Sequence, residues 1–136
     1  QFARIGVRNT TILEWDIEEA TQARYIADLK ALTDYYHNAQ GSATDIVKKI
    51  RPVLESYSRN LYPAQFATDT LGEIIGKIRR IGVTHTFFPL LNDIDSINEY
   101  ARRYHHPENA NAAVDPIDHN ELQGFVKKTL MITGGF

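Results

Sequence analysis

Four side chains in this sequence combine types that could move a proton and hold a phosphoryl charge: Arg51, Glu55, His105 and His106. Arg51 and Glu55 lie four residues apart, which sets both on one face of a helix. His105 and His106 close the run Asn98-Glu-Tyr-Ala-Arg-Arg-Tyr-His-His-Pro107, directly after two guanidiniums. An imidazole near neutral pKa can take the proton of a ribose 2′-hydroxyl or give one to a leaving oxygen. An arginine stabilises the charge that builds on phosphorus. Together these residues fit RNA cleavage, if the fold makes them converge. Each half also has a plainer use. Arg51 with Glu55 is an ordinary ion pair, and cations at 102–106 suit a helix C-terminus, where the dipole is negative.

Two further groups carry weaker signals. His105, His106, His119, Asp115 and Asp118 flank one loop, but the chain has no Cys and no His-x-x-x-His pair, so metal-ligand spacing is poor. Tyr57, Tyr62, Tyr100 and Tyr104 sit near Arg59, Arg102 and Arg103. Such pairs could stack single-stranded bases, or they could simply pack with their hydroxyls bonded. No phosphate-binding loop is present. Gly72 and Gly76 fall inside a helical pattern with no Lys-Ser or Lys-Thr after them. A nucleophile elbow, a zincin helix and an EF-hand loop are missing as well.

The elements that must position these residues are mostly helical. Asp16 with Glu19 forms a capping pair, and apolar residues at helical spacing predict a helix from about Ile17 to His37, stopped by Gly41. Thr44 is placed to cap a second helix, about Asp45 to Leu61, in which Pro52 predicts a kink near 48–51. A third helix is expected over about Thr70 to Ile81, with Leu71, Ile74, Ile75 and Ile78 inward. A fourth runs from about Phe88 to Tyr104, with a break expected near Asp93. After a loop at 107–117, Asp118 and Glu121 cap a last helix, about His119 to Ile132, with Leu122, Phe125, Val126, Leu130 and Met131 apolar. Residues 1–16 read instead as a short β-hairpin or two edge strands, with a turn at Arg8-Asn-Thr-Thr11. The expected fold is mainly α: one compact domain of about five helices with an N-terminal hairpin.

Composition narrows the function. At 136 residues the chain suits one domain. Its net charge of −2 gives no overall footprint for a polyanion. Nothing approaches the ~20 apolar residues of a membrane span, and no leader is visible, so a cytoplasmic protein with no membrane partner is expected. The start at Gln1 without Met, in a strand-like run that wants a partner sheet, reads as a piece of something larger. Phe2, Ile5, Val7 and Trp15 would then form an apolar interface exposed by the missing neighbour.

Four segments, taken in order, resemble a known family. They are Arg51-Pro-Val-Leu-Glu-Ser-Tyr-Ser-Arg-Asn-Leu-Tyr-Pro63, Leu71-Gly-Glu-Ile-Ile75, Asn98 to His106, and Pro116-Ile-Asp-His-Asn-Glu-Leu-Gln-Gly-Phe-Val-Lys-Lys-Thr-Leu130. They are similar to the C-terminal region of large bacterial AAA-type, ABC/SMC-like ATPases related to anticodon-nuclease and phage-defence ATPases. The resemblance implies a region beyond the Walker and signature motifs that packs on, caps or regulates the ATPase head, or meets an effector protein. It implies no cofactor in this segment, with ATP and Mg held by the parent protein. A second likeness is to HEPN-type helical ribonucleases, which carry Arg, then four to six residues, then His. Here Arg102 and Arg103 stand only two to four positions before the histidines, and Ala101 occupies the place a four-residue gap before His106 would give to Arg. The expected function is therefore a non-catalytic helical domain of a larger ATPase. The alternatives are a HEPN-like ribonuclease using Arg51, Glu55 and His105 or His106 on RNA, and a stand-alone protein-interaction module.

Overall fold

Six helices account for nearly all of the backbone placed here: α1 (Ile5–Asn38), α2 (Ala43–Leu61), α3 (Pro63–Phe66), α4 (Leu71–Ile81), α5 (Leu91–His105) and α6 (His119–Thr133). The computed structural model describes residues 5–105 and 116–134, with side chains from 16 to 104 and from 116 to 134. Two 3-10 turns, Gly82–Thr84 and Phe88–Leu90, join α4 to α5. The mainly helical class expected from the sequence holds.

The N-terminal hairpin does not. Residues from Ile5 onward are helical and run without interruption into the segment predicted to begin at Ile17. The physical reason lies in the turn that a hairpin would need. Arg8-Asn-Thr-Thr11 has neither Gly nor Pro to set turn geometry, and two strands without a third are marginal. Extending an existing helix adds one hydrogen bond for each residue fixed, with no new nucleus. Asp16 and Glu19 consequently sit inside α1 rather than at its start.

α1 and α2 form an antiparallel pair. Lys49 Nζ lies 3.3 Å from Asp28 Oδ1, and Gln22 Nε2 donates to Asn60 Oδ1 at 3.0 Å. The turn between them puts its strain on an alanine. Ala39, at φ 54, follows the last helical residue, and its N–H donates to the Tyr35 carbonyl at 2.9 Å. Gly41, expected to be the stop, instead takes φ 107 two residues later. The cap of α2 is Ser42, not Thr44: Ser42 Oγ accepts from the Asp45 amide at 3.2 Å. α2 continues as helix through Pro52.

The other helices begin where side-chain acceptors allow. Thr70 Oγ1 accepts from the Glu73 amide at 3.3 Å while Glu73 Oε1 accepts from the Thr70 amide at 2.9 Å. This reciprocal box satisfies two orphan donors of α4. Asp118 Oδ1 accepts from the Asn120 and Glu121 amides at 2.8 and 3.2 Å, as the sequence pattern predicted for α6. α5 is unbroken at Asp93, with the expected irregularity confined to the 3-10 turn before it.

α2 is the central helix and packs against each of the other five. Its Ile46, Val47, Ile50, Val53 and Leu54 are buried together with Leu32 and Tyr35 of α1, Phe66 of α3 and the Ile74–Ile78 row of α4. Ile94, Ile97 and Tyr100 of α5 and Leu122, Val126 and Leu130 of α6 complete the same core. Met131 was expected to join it, but is 63% exposed on the outer face of α6.

An alanine held in the left-handed region costs roughly 1–2 kcal/mol relative to a glycine there. Part of that gain is offset by the greater freedom of an unfolded glycine. Ala39→Gly is therefore expected to stabilise the domain by about 0.5–1 kcal/mol and raise Tm by a few degrees. A thermal melt followed by circular dichroism reads this directly, and a lower Tm would contradict the account of the turn.

Candidate functional site

Arg51, Glu55 and Arg59 form one row along α2, each four residues from the next. Glu55 Oε2 is 3.6 Å from Arg51 Nε, and Glu55 Oε1 is 3.9 Å from Arg59 Nη2. The carboxylate is not free for chemistry, because Oε2 also accepts from the Leu71 amide at 2.7 Å. That amide opens α4. Glu55 therefore caps a neighbouring helix from outside, with its negative charge against the positive end of the dipole.

Arg59 works on the same junction. Its Nε and Nη2 donate to the Asp69 carbonyl at 3.0 and 2.7 Å, and Nη2 also reaches the Thr68 carbonyl at 3.3 Å. Lys77 Nζ pairs with Asp69 Oδ2 at 2.6 Å and donates to the Gln65 carbonyl at 2.8 Å. The whole α3–α4 connection, including Ala67 at φ 42, is thus tied down by three basic or acidic side chains. Sequence reasoning found the Arg51–Glu55 spacing but not this use. The available signal was Arg59, one further helical turn along the same row.

The third partner of the ribonuclease constellation is not defined. His105 is the last residue of α5, and its side chain, like all of His106 and Asp115, lies outside the described residues. His119 begins α6, where its Nδ1 shares a short hydrogen bond with the Tyr35 hydroxyl and its ring meets Tyr35 edge-on at 5.3 Å. Asp118 is committed to its cap. Among the described residues no group of three or more His, Asp or Glu side chains could hold a metal ion.

The histidine that sequence reading passed over is His85. It is buried beside Tyr62, Phe66 and Phe87, at ring distances of 5.0, 5.7 and 5.6 Å. Its Nδ1 accepts from the Phe87 amide at 2.9 Å, which leaves Nε2 to donate to Gln65 Oε1 at 2.8 Å. Both ring nitrogens are used inside the protein, and the ring holds the 3-10 segment against α3.

The tyrosines pack. Tyr57 stacks on Phe87 at 6.2 Å. Tyr100 stacks on Phe125 at 4.1 Å and meets Tyr104 edge-on at 5.4 Å. Tyr100 and Tyr104 are buried, so neither offers an open face to a base. Ser96, Glu99, Tyr100, Arg102, Arg103 and Glu121 line a groove of about 570 Å³ between α5 and α6. Glu99 pairs with Arg102 along α5 at 3.6 Å, and Glu121 comes from α6. The Tyr100 hydroxyl is buried without a hydrogen-bond partner, and burial pushes its pKa well above that of an ordinary phenol.

Of the expected interface, Phe2 lies outside the described residues. Ile5, Val7 and Trp15 are in the helical backbone of α1, with side chains outside the described set. Next to them, side chains from 16 to 24 are all exposed, Ile17 at 68%. Ile17, Ala20, Thr21, Arg24 and Tyr25 edge a second groove of about 460 Å³ against Pro52 and Ser56. The register with α2 explains the exposure. Gln22 bonds Asn60 and Asp28 pairs with Lys49, so α2 ends between about residues 16 and 21 of α1 and the helix from Ile5 continues past it by roughly 16–24 Å.

No protein-family model, no curated protein and no solved structure matches the chain.

Two substitutions separate wiring from packing. Glu55→Ala leaves the Leu71 amide unpaired and two arginines without their carboxylate, at an expected cost of about 1–3 kcal/mol in a urea melt. A change below about 0.3 kcal/mol would contradict the capping role. Tyr100→Phe removes a buried hydroxyl that bonds to nothing, so it is expected to leave stability at pH 7 unchanged or slightly higher. Above pH ~10 the unfolded chain releases the Tyr100 proton while the folded chain keeps it, so the wild type loses stability there as pH rises. The variant lacks that term and is expected to unfold at a higher pH in an alkaline titration. An unchanged midpoint would contradict it.

Proposed function

We propose that this chain is a non-catalytic helical domain that works by docking protein, with the N-terminal extension of α1 as its docking element. The observation that carries the reading is the extension itself. About three to four helical turns run past the end of α2, and the described part is exposed on all sides. Most helical stability in proteins comes from tertiary packing rather than from propensity, so a stretch that leaves the bundle gains most from a partner surface. The duties of Glu55 and Arg59 support the non-catalytic half: both are engaged at the α3–α4 junction, and Arg51 pairs with Glu55.

The resemblance of four segments to the C-terminal region of ABC/SMC-like ATPases names the kind of assembly the domain serves. In that setting it packs on or regulates an ATPase head, and ATP and Mg belong to that head rather than to this domain. No helix among the described residues is long and apolar enough to cross a membrane, and the partner surface is taken to be protein.

A photocrosslinking amino acid placed at Ile17 is expected to give a discrete protein adduct in cells. The same group at Met131, equally exposed on α6, is expected to give none. By mass spectrometry, the complex that contains the adduct, whether Ile17 is joined to a second copy of this chain or to another protein, should include an ATP-hydrolysing chain. Equal adducts at both positions, or none at Ile17, would overturn the docking reading. Cleavage of RNA by the purified domain, lost in Arg51→Ala without loss of fold, would overturn the non-catalytic one.

A further inference from the structure

We infer that the α1 extension docks on a second copy of this chain, against the corner formed by the end of α4 and the Gly82–Thr84 turn. The inference rests on the reading of the extension as a docking element and names its partner. The corner is the other exposed apolar surface at the same end of the bundle. Val83 is 79% exposed and Ile81 41%, and Ile81 edges a groove with Pro63, Ala64 and Thr84. Leu61, the last residue of α2, is 49% exposed, and its neighbour Tyr62 lines the same groove. α1 packs mainly on α2 and α6, whereas α4 packs mainly on α5 and α2. The two apolar surfaces therefore lie on different sides of α2 and do not cover each other within one chain.

Their charges are complementary. Around Ile17 the extension exposes Asp16, Glu18 and Glu19. Around Ile81 the corner exposes Arg79 and Arg80, of which Arg79 already shares Asp95 at 3.2 Å. Opposite charge beside matched apolar residues favours this pairing over others and speeds encounter. Area points the same way. One face of a four-turn helix covers on the order of 300 Å², well short of the ~800 Å² per partner of a standard interface. A two-fold pair makes the contact twice, because each copy gives its extension and receives the other's. The doubled contact reaches the low end of specific interfaces, which is the size range of reversible, concentration-dependent pairs.

Sedimentation of the full chain from about 1 to 200 μM reads the mass directly. The expected result is a monomer at the low end and a doubled mass at the high end, with the transition weakened by salt. Ile17→Glu and Val83→Glu, both at exposed positions, should each weaken pairing at least tenfold while circular dichroism stays unchanged. Arg80→Glu should weaken it as well, and adding Glu18→Arg to that variant should restore part of it. Met131→Glu should leave the mass unchanged. A monomer at every concentration overturns the inference, as does a dimer indifferent to Ile17→Glu or Val83→Glu, or one equally lost in Met131→Glu. A monomer that still crosslinks from Ile17 to a different protein overturns the second-copy partner alone. A monomer with no adduct removes the docking reading too.

Discussion

One helix has to face five others, and that demand on α2 organises the molecule. Nineteen residues supply an apolar surface broad enough for α1, α5 and α6 to share. The same helix must also reach the polar α3–α4 connection, which folds back across its C-terminal half. The row Arg51, Glu55, Arg59 meets the second demand. A carboxylate there accepts the first amide of α4, and a guanidinium gathers the carbonyls of Thr68 and Asp69. Leaving those backbone groups bare beside the core would cost about 1–3 kcal/mol each. Glu55, one member of the Arg51–Glu55 pair, thus serves the backbone of a neighbouring helix.

Much of this was legible from the sequence, for reasons that differ by element. α6 announces itself through Asp118-x-x-Glu121, and the apolar positions of α4 and α6 recur at helical spacing. Leu71, Ile74, Ile75, Ile78, Leu122, Val126 and Leu130 are buried as that spacing requires. The start of α1 was misread because Phe2 to Trp15 is rich in β-branched and aromatic residues, which favour strands only where a sheet exists to receive them. Met131 shows a related limit: an apolar residue one position off the buried row is carried to the surface. The cap given by Glu55 was invisible because its acceptor role depends on a loop sixteen residues away folding back. His85 was invisible for the same reason, since its two bonds go to Gln65 and to the Phe87 amide across two turns.

The two halves of α1 are held differently. Residues 28 to 38 belong to the core through Leu32 and Tyr35, with Asp28 and Tyr35 tied to Lys49 and His119. Before them, Gln22 bonds to Asn60 and Tyr25 packs at the edge of the core, while the side chains from 16 to 24 are exposed. A domain built this way separates its labours. The α2 row keeps the frame rigid, and the extension is left available for another surface at low cost to the fold.

Amide hydrogen exchange measured at two protein concentrations tests that division most directly. At low concentration α2 and residues 28 to 38 should be protected, while residues 5 to 20 exchange rapidly. At high concentration protection should appear on 5 to 20 and around 79 to 84, with α2 unchanged. Strong protection of 5 to 20 that is independent of concentration would mean the extension already has its partner within the chain, and the account would be wrong.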